Sequence, residues 1–130
     1  MKFVGICLVT DDVPALAAFY VKVLGVKAEG DDTHVELKTE GAGMTIFSVK
    51  GMEEMAPQSM QGAGHGSFTI GIEVKDVDRE YERLQELGVE MVKLPQSYPW
   101  GSRSVWFRDP DGNIIDFFAS IVDGEGLASR

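Results

Sequence analysis

Residues Ile6-Cys7-Leu8-Val9-Thr10-Asp11-Asp12-Val13 and Ile70-Gly71-Ile72-Glu73-Val74-Lys75-Asp76-Val77 read as one unit written twice, with Asp12 matched to Asp76. Further on, Leu24-Gly25-Val26 matches Leu87-Gly88-Val89, with one residue of length change between the two anchors. Each copy begins with an alternating apolar run that suits a half-buried strand. An Asp follows at the position where a carboxylate can accept the unpaired N–H groups of a helix's first turn. In the first copy Leu16, Phe19 and Val23 then recur at helical spacing, and in the second Val77, Tyr81 and Leu84 do so. Pro14 falls in the first turn, where its missing N–H costs nothing. Gly25 and Gly88 suit the left-handed position that closes a helix.

Working outward from those anchors, three strand-like stretches follow each helix. The expected strands are Val26–Glu29, Thr33–Lys38 and Met44–Val49 in the first copy, and Glu90–Leu94, Arg103–Arg108 and Asn113–Ala119 in the second. Asp109-Pro110-Asp111-Gly112 has the chemistry of a tight turn and predicts a hairpin between the last two. The pattern is βαβββ twice: a first module over 1–49, a Gly-, Met- and Gln-rich linker over 50–66, a second module over 67–122 and a frayed tail over 123–130.

Composition narrows the class. The chain has 130 residues, 44% hydrophobic and 25% charged, which suits one folded domain of ordinary composition. Twelve Lys and Arg against 21 Asp and Glu give a net charge of −9, which disfavours nucleic-acid binding because phosphate backbones reward clustered cations. The same acid excess favours a cationic ligand by long-range steering, and equally keeps a domain dispersed. No apolar run approaches the ~18 residues of a membrane span. Met1 to Thr10 is too short for a signal peptide before Asp11 and Asp12 interrupt it, so the expected location is cytoplasmic, with no membrane partner. Cys7, the one cysteine, can form neither an internal disulfide nor a multi-cysteine zinc site.

These ordered motifs resemble the vicinal oxygen chelate superfamily, which includes glyoxalase I, extradiol dioxygenases and the fosfomycin- and bleomycin-resistance proteins. The resemblance rests on Asp12-Val13, Phe19-Tyr20, Leu24-Gly25, the run Glu73 to Asp78, Trp100-Gly101, Arg103, Phe107 and Asp109 to Asn113, and spans about residues 3–120. It implies an α+β fold in which two βαβββ modules form a cupped, incompletely closed eight-stranded mixed sheet around a pocket. It also implies a homodimer, with the modules either exchanged between protomers or retained.

Enzymes of that superfamily hold a divalent metal through His and Glu on the first and last strands of each module. Such a set suits Zn, Ni, Mn or Fe and leaves positions open for substrate oxygens. Aligned on the Val-Asp motif, the usual His positions fall on Gly5 and Thr69, and the fourth strand, Met44 to Val49, has no acid or His in any register. Only Asp116, on the eighth strand, keeps a donor, and one carboxylate does not make a tight transition-metal site. His34 and His65 read as a strand and a linker histidine rather than ligands. The expected cofactor is therefore none, with a divalent metal required only if the site is built in an unusual way around Asp116.

Strand alternation places Val4, Ile6, Leu8, Ile70, Ile72 and Val74 under the helices, and Phe3, Gly5, Cys7, Thr69, Gly71 and Glu73 on the opposite face. The candidate pocket adds Phe47 at the missing acid position, Asp116 and Phe118 on the last strand, Trp100 as a stacking surface and Arg103 as a partner for Asp116. Trp106 and Phe107 alternate, so one of them points into the same space. Cys7 reads as a buried, inert thiol and Glu73 as a solvated strand-end acid.

The leading expectation is a metal-free protein that binds a small organic ligand, cationic or aromatic, like the bleomycin-resistance branch. The alternatives are a lyase, isomerase or dioxygenase with a non-standard metal site on Asp116, recruiting Glu73 or His34; a metal-independent enzyme using Asp116 or Glu73 as base; and a partner-binding module whose pocket is filled by Phe3, Phe47, Trp106 or Phe107.

Overall fold

The computed structural model describes residues 1–121. The expected tail, 123–130, lies outside them. Two compact units divide the chain, Met1–Gly64 and His65–Arg130, so the boundary falls inside the expected linker.

The first unit runs β1 (Gly5–Thr10), α1 (Val13–Leu24), β2 (Ala28–Gly30), β3 (His34–Leu37), β4 (Gly43–Ser48) and α2 (Val49–Met55). The second runs β5 (Thr69–Glu73), α3 (Val77–Glu86), β6 (Met91–Ser97), β7 (Ser102–Arg108) and β8 (Ile114–Ser120). Their eight strands form two four-stranded sheets with the same order, β1-β4-β3-β2 and β5-β8-β7-β6. In each, the first and last strands of the module pair parallel and the other neighbours antiparallel, so both sheets are mixed. The fold is α+β, built from βαβββ modules.

Local chemistry explains the helix ends. Asp12 accepts a hydrogen bond from the Ala15 N–H and Asp76 one from the Arg79 N–H, each at 3.1 Å. Gly25 closes α1 at φ 66°, a left-handed conformation that a Cβ would disfavour. In the Asp109–Gly112 turn the Asp109 carboxylate accepts from the backbone N–H groups of Asp111 and Asn113 and from the Asn113 side chain, all at 2.9 Å.

Each helix covers one face of its own sheet. Beneath α1 lie Leu8, Val35, Leu37, Met44 and Ile46, meeting Leu16, Tyr20 and Val23. The fully buried aromatic of α1 is Tyr20 rather than Phe19, which is half-buried and meets Tyr20 edge-on. Beneath α3 lie Val105, Phe107, Ile115 and Phe117, with the Phe107 and Phe117 rings edge-on at 4.9 Å. Burial of each such side chain is worth about 1.5–3 kcal/mol.

Two expectations change. The start of the 50–66 linker is helical: Ser48 caps α2 through its Oγ, which accepts from the Gly51 N–H at 2.9 Å, and Gly51 packs so closely on the Phe47 ring that a Cβ would have to displace it. Composition rich in Gly and Met signals a loop, but the cap and the close approach to β4 supply what local propensity lacks. Strand β6 runs on to Ser97 through Pro95. It lies at the sheet edge, and its pairing with β7 shifts register on both sides of Lys93, where a missing ladder N–H is tolerated.

Candidate functional site

The face of each sheet turned away from its helix carries the candidate residues, and register fixes which of them share a row. In the first unit Cys7 stands opposite Thr45, Thr45 opposite Glu36, and Glu36 opposite Glu29. In the second unit the corresponding row runs Gly71, Asp116, Trp106, Lys93. The first row ends in two acids neutralised by Lys38, whose Nζ lies 2.7 Å from Glu36 and 3.5 Å from Glu29. The second holds an anion, an indole and a cation in sequence.

At the position where a metal-binding His is expected, Gly5 has φ 152°, and a Cβ built on it would run into the Gly43 backbone. No L side chain fits there without moving one of the two strands. Phe47, in place of an acid, is half-buried with its ring edge-on to His34 at 5.8 Å. Cys7 is exposed, not buried, because β1 turns it to the helix-free face.

In the second unit Thr69 and Glu73 are exposed on β5. Asp116 is 2% exposed and stands between Gly71 and Trp106 in the row. Phe118, half-buried, shares its face, as strand alternation requires.

Arg103 does not join Asp116. It lies three residues from Trp106 on β7, so it points to the helix side, where its guanidinium grips Asp78 of α3 at 2.7 and 2.9 Å. That guanidinium holds the Asp78 carboxyl below its ordinary range, and the carboxylate raises Arg103 in turn. The expected Arg103–Asp116 pair is thus replaced by Arg103–Asp78, because strand parity turns Arg103 and Asp116 to opposite faces of the sheet.

Trp100 is 46% exposed and stacks on Tyr98, ring centroids 4.6 Å apart and nearly parallel. Of the alternating pair, Phe107 lies under the helix and Trp106 on the open face. Sequence reasoning missed Lys93 and Ser104. Lys93 reaches across to Ser104, donating to its carbonyl at 3.0 Å and its Oγ at 2.8 Å. A Lys inside the apolar run Met91 to Leu94, opposite alternating Ser104 and Trp106, is the signal that would have found them.

The donor set does not fit a divalent metal. Of the four aligned positions, Gly5, Phe47 and Thr69 offer no imidazole or carboxylate, and Gly5 has no room for one. Among the described residues no three His, Cys, Asp or Glu side chains are placed to hold a metal ion. No described helix is long and apolar enough to cross a membrane.

Comparison with known proteins places this geometry in context. Residues 2–117 match the model of the Glyoxalase/Bleomycin resistance protein/Dioxygenase superfamily. The chain is 30% identical over 125 residues to the uncharacterized protein YraH of Bacillus subtilis, covering 91% of this chain and 98% of that protein. It is 27% identical over 114 residues to biphenyl-2,3-diol 1,2-dioxygenase 3 of Rhodococcus globerulus, covering 84% of this chain and 58% of that enzyme. Among solved structures, a glyoxalase/bleomycin resistance protein/dioxygenase from Nocardioides superposes with a TM-score of 0.80 at 24% identity, covering 100% of this chain and 89% of that one. That likeness concerns the fold alone.

Proposed function

Since the chain belongs to the Glyoxalase/Bleomycin resistance protein/Dioxygenase superfamily, whose fold serves metalloenzymes and metal-free binders alike, we propose that it binds a small organic molecule without a metal. The observation that carries this reading is Gly5: the backbone there excludes the side chain a metal site needs. Thr69 and Phe47 at two further aligned positions support it, and Asp116 alone remains. The ligand is held by contacts with aromatic rings and a few polar groups on the helix-free face of the second unit. A homodimer is part of the proposal, and sedimentation equilibrium checks it by the mass in solution.

Thermal melting of chelator-stripped protein tests the metal-free reading. With Zn, Ni, Mn or Fe(II) the melting temperature stays unchanged, whereas a panel of small aromatic compounds contains members that raise it saturably. A ligand at ~100 times its Kd adds about 2.7 kcal/mol, a shift of several degrees for a domain of this size. A saturable, chelator-reversible rise with a metal, lost in Asp116→Ala, would overturn the proposal.

A further inference from the structure

Lys93 stands on the open face of the second unit, half-buried between two rings. Its Nζ is 4.9 Å from the Tyr98 centroid and 5.2 Å from that of Trp106. In a chain with 21 acids to 12 bases, no carboxylate among the described residues lies within ion-pair distance of it. The groups that hold it, the Ser104 carbonyl and hydroxyl and two aromatic faces, are neutral. A cation drawn partly out of water with no anion beside it is an open electrostatic position.

Hydrogen-bond capacity points the same way. An ammonium has three donors and Lys93 places two of them on Ser104. The Ser104 hydroxyl accepts from Lys93, so its own O–H remains a donor, at a residue 6% exposed. Trp106 Nε1 is buried and has no acceptor among the described residues. These three donors belong to neighbouring residues of β6 and β7, and none of them has a carboxylate partner among the ion pairs of the described residues.

We propose that Lys93, Ser104 and Trp106 form a subsite for the carboxylate of a small organic acid, with the Lys93 ammonium as counter-ion and the rings of Tyr98 and Trp106 as its walls. This rests on the small-molecule reading and specifies its ligand class. The polarity is local and opposite to that suggested by the net charge of −9. Of the acids on the same face, Asp116 lies on β8 on the far side of Trp106 from Lys93, and Glu73 one strand further on β5.

A structural role alone, bolting the irregular β6 to β7, would use the same Lys93–Ser104 bonds, so the test must read charge preference. The probes are 1-naphthoate, 1-naphthylmethanol and 1-naphthylmethylammonium, which share a ring system and differ in charge. Calorimetric titration gives the affinities, and the indole N–H resonances report the place, Trp106 being told from Trp100 by Trp100→Phe. Naphthoate is expected to bind about tenfold or more tightly than the other two, as a charge-assisted hydrogen bond requires, and to move the Trp106 signal. Lys93→Met is expected to abolish that preference while leaving the binding of the alcohol in place. Should Lys93→Met fail to fold, Ser104→Ala is expected to weaken naphthoate severalfold more than it weakens the alcohol.

Equal or tighter binding of the alcohol or the ammonium, a preference that survives in Lys93→Met, or no binding of naphthoate overturns the subsite. The wider small-molecule reading falls only if the whole aromatic panel also leaves the melting temperature unmoved.

Discussion

Gly5 and Gly43 face each other across the parallel β1–β4 ladder so closely that a Cβ on Gly5 would lie 2.8 Å from the Gly43 Cα and closer still to its carbonyl. The missing metal ligand is thus a property of the backbone and not of one side chain. Gly5→His is expected to lose about 2–4 kcal/mol of stability from left-handed strain and overpacking, and to gain no metal affinity. Urea unfolding with and without Zn measures both. A stable variant that binds Zn would show that β1 can move aside.

Among the described residues, Asp116 is the one buried acid of the second unit's open face, at 2% exposure. Asp116→Ala removes the carboxylate and the interaction it makes in the fold. The expected cost is about 1–3 kcal/mol, read from the denaturant midpoint, with no change in the response of the protein to metals.

Arg103 and Asp78 tie β7 to α3, and their linkage has a defined sign. Asp78 is depressed in the folded protein, first by the hydrogen bond from Arg103, so its contribution is complete above the ordinary carboxylate range and is lost as pH falls through the lowered value. Asp78→Asn is expected to melt below the parent at pH 7 by a small margin, since the pair is partly exposed, and to converge on it as acid protonates the lowered carboxyl. Melting curves across pH 2–7 decide it.

Ser48 caps α2, the helix that composition concealed. Ser48→Ala is expected to cost about 1 kcal/mol and to speed hydrogen exchange at the Gly51 amide, whose bond to Oγ it removes. Unchanged exchange there would mean that packing on β4, rather than the cap, holds the helix.

Much of this was legible beforehand because it is written in local terms. Asp12, Asp76, Gly25 and the Asp109–Gly112 turn act on backbone groups within four residues of themselves, so their chemistry reads directly from spacing. The repeat then supplies the second module from the first, and alternation along β5 and β8 assigns Thr69, Asp116 and Phe118 to one face. Helix α2 and the run of β6 through Pro95 were not legible, since a cap seated against a neighbouring ring and an edge-strand register shift depend on what lies across the sheet.

What the sequence by itself determined is the twofold βαβββ plan and the absence of a conventional donor set, both of which follow from residue type and spacing. Only the tertiary structure decided that Gly5 has no room for a side chain, that Arg103 belongs to Asp78, and that Lys93 stands beside Trp106 without an acid. Those three depend on cross-strand register, and register is set by pairing between segments that meet only once the chain has folded.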